Sequence, residues 1–353
     1  MMSNTRRYAA TLAAVVAVAA LPGCAFSGSG DDSLTLTLVT HDSWAMDRTV
    51  MARFEKQSGY HVKVVNAGDA GALTNKLVLT KDDPIGDVVY GIDNTFASRA
   101  VDAGILADHT PADPPKGATD FAPDDAKAAA ELTPVDYGDV CVNVDDTWFA
   151  QHQVAPPVTL DDLTEPAYKD LFVVPGPATS SPGLAFLFTT IAAKGESGWQ
   201  DYWKALVANG VKVDAGWSDA YEGDFTAGGG SGARPIVLSY ASSIPFTIPK
   251  GATEPTTSAL LDTCFRQVEY AGVVKGGAHA KAAGELVDFM QSAAFQKALP
   301  DQMYVYPVAT ATPLPADWEK YAQVATKPWT IPATDIADKR ATWLREWRDV
   351  VVG

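Results

Sequence analysis

The residues in this 353-residue chain best suited to chemistry are polar and aromatic groups gathered where predicted strands end. Three such ends lead into Asp42 and Ser43, into Asp69, and into Asp93 and Asn94. Further on, "AGWSDAY" (Ala215 to Tyr221) sets Trp217 between a glycine and a serine, with Asp219 and Tyr221 just behind. Gly216 permits close backbone approach. Ser218 and Asp219 either cap the helix that follows or touch a ligand, and Tyr221 faces either ligand or core. In "ATSSPGL", the hydroxyls of Thr179, Ser180 and Ser181 open an apolar helix. Backbone N–H groups and the helix dipole at such a point can hold an anion or a hydroxyl, whereas an ordinary cap needs only one of the three.

None of these groups forms a catalytic set. The chain has no phosphate loop of the P-loop type and no nucleophile elbow, and its five histidines show no metal-ligand spacing. His61, His109, His152 and His279 read as surface residues. Polar and aromatic loops carried on rigid elements suit the closing of a cleft over a small molecule.

The elements that must position these residues alternate. A strand from Leu34 to Val39 is followed by a helical pattern through Val50, Phe54 and Tyr60; a strand from Val62 to Val65 and "IGDVVYGIDN" repeat the scheme. Strands alternating with helices imply a parallel sheet covered on both faces, and ligands of such sheets lie beyond the carboxyl ends of the strands. The middle of the chain, "LFVVPGPATSSPGLAFLFTTIAA" and "ARPIVLSYASS", is a second unit of the same kind. Two runs of β-formers, around Cys141 and from Cys264, flank it and read as crossings between domains. Beyond them "KAAGELVDFMQSAAFQKAL" is amphipathic, "MYVYPV" extended and "TDIADKRATWLREWRDVV" a terminal helix. Trp343 and Trp347, four apart on that helix, are core residues by their spacing.

The first residues carry a different signal. Arg6 and Arg7 precede the apolar run Tyr8 to Ala20 and "LPGC", Leu21 to Cys24. That is the pattern of a secretory leader, too short to span a bilayer, and the chain is expected to be exported. "LPGC" resembles the lipobox of bacterial lipoproteins, which makes Cys24 the expected lipidation site at the outer face of the cytoplasmic membrane. Residues 25–33, "AFSGSGDDS", suit a flexible tether. With 27 Lys+Arg against 43 Asp+Glu the net charge is -16, a field that repels nucleic acid and favours cations. Of three cysteines, Cys141 and Cys264 remain for an oxidising compartment. Either they pair, or Cys141 is a reactive thiol.

Seven stretches in order, "THDSWA", "GDVVYGIDN", "VDYGDV", "ATSSPGL", "AGWSDAY", "VLSYASS" and "YPVA", resemble the thiamine-binding proteins of bacterial ABC importers over nearly the whole chain after the leader. The resemblance implies an α/β, type II periplasmic-binding-protein fold, with two α/β domains joined by crossing strands and a ligand cleft between them. Domain 1 is expected over 34–138 and 268–309, domain 2 over 139–267, and helices packing on the domains over 310–353. It implies aromatic walls at Trp217 and Tyr240, a carboxylate at Asp69 for the aminopyrimidine, and a loop of Thr179, Ser180, Ser181 and Gly183 for the hydroxyethyl or phosphate end. A thiazolium cation over a Trp or Tyr face gains about 0.5–2 kcal/mol. Three positions depart from the family: His41 and Phe246 where tyrosine is usual, and Tyr304 where tryptophan is usual. These change hydrogen bonding at the polar end, so free thiamine is expected to bind while preference among its phosphates stays open.

The implied partners are thiamine or its phosphates, an ABC permease with its ATPase, and the membrane through a lipid anchor, with a monomeric chain, no nucleic acid and no cofactor. Two alternatives remain. Thiaminases of the cysteine type share this fold, and Cys141 would be their nucleophile; a polyamine-binding protein of the same fold would also use aromatics and acids. Iron-binding relatives typically present adjacent tyrosines, and no Tyr-Tyr pair occurs here.

Overall fold

A computed structural model describes residues 35–353; the leader, Cys24 and the tether lie outside the described residues. The first half alternates as its apolar periods dictate: β1 (Thr35–Thr40), α1 (Arg48–Ser58), β2 (His61–Asn66), α2 (Ala70–Leu79), β3 (Val88–Asp93), α3 (Ala97–Ala103) and a two-residue β4 (Leu106–Ala107). After α4 (Ala126–Glu131), the long β5 (Thr133–Asp145) leads through α5 (Asp146–His152) into a second half. That half holds β6 (Phe172–Pro175), α6 (Ser181–Lys194), α7 (Trp199–Ala208), β7 (Lys212–Asp214) and β8 (Ile236–Tyr240). The return is β9 (Thr257–Val274), followed by α8 (Ala280–Met290), α9 (Ala293–Met303), β10 (Tyr306–Pro307), α10 (Ala316–Tyr321) and α11 (Ala333–Val351).

The strands form one sheet in the order β2-β1-β3-β9-β5-β8-β6-β7, with β10 on β5 and β4 on β9. Its two ends are parallel, as the alternation predicts. Its middle is not: β9 runs antiparallel to β3 and β5, and β5 antiparallel to β8. The expectation of a parallel sheet therefore holds only where a helix crosses between neighbouring strands; β5 and β9, which carry the chain from one half to the other, must run against their neighbours. Their register places Asp136 opposite Glu269, after a shift between Pro134 and Asp136.

Alternate residues of the first half face opposite layers. Leu36, Leu38, Val88 and Tyr90 pack against Val50 and Phe54 of α1 and Leu286 of α8, while Val39, Val89 and Ile92 face Leu73 of α2 and Ala100 of α3. Three segments fall differently from their sequence reading. Gly59, at φ 78°, ends α1 and leaves Tyr60 beyond it, and the amphipathic stretch breaks into α8 and α9 at Ser292, which caps the N–H of Phe295. Only Tyr306 and Pro307 of "MYVYPV" pair as a strand. Helix α11 lies across both halves: Trp343 meets Phe188 edge-on, Trp347 meets Trp203, and the Arg340 guanidinium sits 5.6 Å from the Phe96 ring centroid. Cys141 and Cys264 are bonded to each other between β5 and β9.

Candidate functional site

A cleft of about 230 Å³ opens where the strand ends of the two halves meet. From the first half come His41, Asp42, Ser43 and Trp44 after β1, and Asp69 and Ala70 at the start of α2. The second half supplies Ser181 and Pro182 of α6, Trp217, Ser218 and Glu222 after β7, and Tyr240 at the end of β8. Glu269 of β9 forms part of the floor, and Gln302 to Val305 at the end of α9 close the remaining side.

The aromatic wall has two layers. Trp217 presents its ring to the cleft, with Tyr240 at 6.3 Å and Tyr304 at 6.2 Å between centroids. Tyr221 lies buried behind it, stacked at 4.9 Å and 11°, because a residue four further along a helical turn falls on the same side. Phe246 likewise stacks on Tyr304 at 3.6 Å. Neither Tyr221 nor Phe246 lines the cleft; each braces a ring that does. Trp217 is fixed further by its Nε1–H, which donates to Ser239 Oγ at 3.0 Å. Tyr240 is held by its hydroxyl, which donates to Gln267 Oε1 at 2.9 Å. Gly138 leaves room for the Tyr240 ring, since a Cβ there would stand 2.7 Å from Tyr240 Cδ1.

Asp69 joins the two halves. It is the N-cap of α2, with Oδ1 accepting from the Ala70 N–H at 2.6 Å, and its Oδ2 accepts from the Trp217 N–H at 3.0 Å. Gly216 permits this approach: a Cβ there would lie 3.2 Å from Asp69 Oδ2. Burial pushes the Asp69 carboxyl above its usual range, against the pull of these N–H groups and of His41. Two further links cross the cleft. Ser43 and Ser218 hydroxyls lie 3.3 Å apart, and the Thr179 carbonyl accepts from the N–H groups of Gly71 and Ala72 at 2.9 and 3.1 Å. The Ser218 side chain makes no cap bond. Asp219 is exposed.

Behind the floor lies a buried polar cluster. His41 Nε2 stands 3.4 Å from Glu269 Oε1, and the Tyr90 hydroxyl contacts Asp136 Oδ2 at 2.6 Å and Glu269 Oε2 at 3.2 Å. The single phenolic proton faces two carboxyl groups, the nearer being that of Asp136. Burial and the neighbouring Glu269 charge push the Asp136 carboxyl far above its usual range, toward the protonated form. Burial also works against ionised Glu269 and protonated His41, but their mutual attraction outweighs it: Glu269 ends below its usual range and His41 above. Gly91, at φ 104°, makes room for the imidazole, because a Cβ would sit 2.3 Å from His41 Cδ2.

The remaining sequence candidates sit elsewhere. Asp93 is fully buried, and its Oδ1 accepts from the Thr95 hydroxyl and the N–H groups of Thr95 and Phe96, tying the turn into α3. Burial raises its carboxyl to about 7. Thr179 turns its hydroxyl to the Ala215 carbonyl at 2.6 Å. Ser180 is buried, and among the described residues its Oγ has no hydrogen-bond partner. Gly183 packs on β6, where a Cβ would come 2.4 Å from the Pro175 carbonyl oxygen. Only Ser181 of that loop's proposed contacts reaches the cleft. Sequence reasoning passed over Trp44, Glu222, Glu269, Gln302 and Met303. Glu269 had a signal, a lone acid inside the β-rich run "CFRQVEYAGVV". Among the described residues no group of three or more His, Cys, Asp or Glu is placed to hold a metal ion.

Comparisons with known proteins agree with this architecture. The thiamine-binding periplasmic protein of Escherichia coli (strain K12) is 30% identical over 321 residues, 90% of this chain and 93% of its own. That of Brucella suis biovar 1 (strain 1330) is 29% identical over 323 residues, 89% of this chain and 91% of its own. A solved structure of a periplasmic thiamin binding protein superposes with a TM-score of 0.78 at 27% identity, covering 90% of this chain and 96% of that one. The fold is thus the type II periplasmic-binding-protein fold, two α/β halves joined by crossing strands with the cleft between them. The sequence pattern described as bacterial extracellular solute-binding protein matches residues 83–333, and the chain belongs to that family.

Proposed function

We propose that this chain captures thiamine outside the cytoplasm and delivers it to an ABC permease and its ATPase. The observation that carries the reading is the pairing of a three-ring wall, Trp217, Tyr240 and Tyr304, with the carboxylates of Asp69 and Glu269 in one cleft. A flat heteroaromatic cation is attracted by ring faces and by carboxylates at once, and both attractions strengthen as water is excluded. The thiamine-binding relatives, similar over about nine-tenths of the chain, support the same ligand. Thiamine is cargo on this reading, and no cofactor is invoked.

Within it, His41, Asp42, Ser43, Asp69, Ser181, Trp217, Ser218, Tyr240 and Tyr304 are direct contacts, with Glu269 added. The halves, 34–138 with 268–309 and 139–267, close over the ligand by flexing at β5 and β9. The lipobox-like Cys24 anchors a monomeric chain to the membrane. The thiaminase-like alternative loses support from the bond between Cys141 and Cys264, which leaves no thiolate to attack.

A tryptophan-fluorescence titration tests the reading. Thiamine should quench the chain saturably at submicromolar concentration, and Trp217→Ala should weaken binding at least about tenfold, the loss of a desolvated cation–π contact plus packing. Saturable binding of spermidine with none of thiamine would replace this reading with the polyamine one.

A further inference from the structure

The floor of the cleft sets a basic side chain beside the carboxylate that an incoming cation would seek. His41 and Glu269 are both buried, and both line the cleft. Glu269 Oε2 lies 3.2 Å from the Tyr90 hydroxyl, which leaves Oε1 to face His41 Nε2 at 3.4 Å. That is the distance of an ion pair rather than of a tight hydrogen bond, and among the described residues Nε2 has no hydrogen-bond partner. Oε1 is therefore not locked to the imidazole.

The imidazole has little room to withdraw, since it already fills the space that a Cβ on Gly91 would take, 2.3 Å from its Cδ2. The titratable groups facing it are acidic or phenolic: Glu269 from β9, Asp69 at the start of α2, Asp42 in its own loop and Tyr90 of β3, with Asp136 of β5 behind the Tyr90 hydroxyl. Among the described residues lining the cleft none is Lys or Arg, so His41 is the basic side chain there. Burial works against its imidazolium, but the attraction of Glu269, joined by Asp69 and Asp42, outweighs it and raises His41 above its usual range.

Resting on the reading above that the ligand is the thiamine cation, we infer that ligand and proton compete for this floor: a bound cation takes the place of the imidazolium opposite Glu269, His41 gives its proton up to solvent, and capture strengthens as pH rises. Two cations held beside one carboxylate in a site that sheds water repel each other strongly, and the proton is the one that can leave. The coupling is reciprocal. Whatever factor a bound cation takes from the proton affinity of His41, a bound proton takes from the affinity for the cation. Below the His41 midpoint affinity therefore falls by up to about tenfold per pH unit, and above it affinity is flat.

The test is calorimetric titration of the full chain with thiamine at about pH 6 and about pH 8.5, which bracket an imidazole raised above its ordinary 6.5, in buffers of different ionisation enthalpy. The expected result is affinity about tenfold higher at the upper pH, with protons released to the buffer on binding near the His41 midpoint. NMR of the wild-type imidazole gives a second readout that needs no variant: saturating thiamine should lower its midpoint. His41→Gln should flatten the pH profile over this window. A slope that persists in that variant would assign the proton to a carboxyl such as that of Asp69 and overturn the inference. Equal affinity at both pH values, or a His41 midpoint that thiamine leaves unmoved or raises, would also overturn it and leave the thiamine reading standing. Absence of thiamine binding at both pH values would overturn that reading, and the inference with it.

Discussion

Asp93→Asn should gain stability relative to wild type as the pH rises, and the gain should appear over a defined window. Asp93 is fully buried, its Oδ2 has no hydrogen-bond partner among the described residues, and its carboxyl is raised from 3.8 to about 7 chiefly by burial. Because the folded pKa lies above the unfolded one, the fold favours the protonated acid. Stability is therefore undiminished below about pH 4, falls as pH rises between the two values, and is flat above. A shift of about three units corresponds to roughly 4 kcal/mol in full, and to about 3 kcal/mol between pH 5 and pH 8. Asparagine keeps an Oδ1 acceptor for Thr95 and Phe96 and never ionises. Urea unfolding of both proteins at the two pH values isolates the titration, since any packing cost of the amide is common to both. The variant should gain about 3 kcal/mol relative to wild type on going from pH 5 to pH 8. A difference between the proteins that does not change with pH would refute the assignment of a buried neutral carboxyl to Asp93.

Removing the Cys141–Cys264 bond, which spans 123 residues, by reduction or by paired serine substitutions should cost about 3–5 kcal/mol; identical urea midpoints with and without reductant would show that the crosslink contributes nothing. His41 should titrate above its ordinary 6.5, because the Glu269 charge, helped by Asp69 and Asp42, outweighs burial. The stability it lends is complete below about pH 6.5 and fades as pH rises through the folded value. In Glu269→Gln, burial acts with less opposition, so NMR should find the imidazole titrating lower than in wild type; an unmoved His41 would show that Glu269 is not its partner.

The sequence exposed the cleft where local rules decide position. A period-two apolar run followed by polar residues locates a strand's end, and in an α/β sheet that end faces the ligand. Asp42, Ser43 and Asp69 were legible for that reason, whereas Trp217 stood out through its setting in "AGWSDAY" and the family resemblance that stretch carries. Residues whose place depends on pairing across the sheet were not. Glu269 is drawn under the cleft by the antiparallel register that sets it opposite Asp136, a register created by a shift near Pro134 that no local pattern announces. Tyr221 could be assigned to ligand or core only once the turn after Ser218 had a defined helical period. Gly183 looked like part of a ligand loop; its small size answers instead to the Pro175 carbonyl beneath it. The C-terminal helix illustrates the same division. Spacing made Trp343 and Trp347 core residues, but that α11 straddles both halves follows only from the partners they find.

The buried acids around the cleft set stability against recognition. Burial raises Asp69, Asp93 and Asp136 together, and each such shift is work the fold does against desolvation. The same removal from water strengthens the attraction of any carboxylate there for a cation, because screening weakens as the surroundings become less polar. Of the three, only Asp69 lines the cleft, and its two oxygens already accept from Ala70 and Trp217, so a cation beside it would find the carboxylate oriented in advance. Asp93 and Asp136 lie outside the lining, and burial pushes both carboxyls upward, which opposes further negative charge beneath Glu269. The cleft thus sets carboxyl groups near the ligand in front of buried acids that desolvation pushes toward their neutral form, the arrangement expected of a site that must attract a single positive charge without unfolding in its absence.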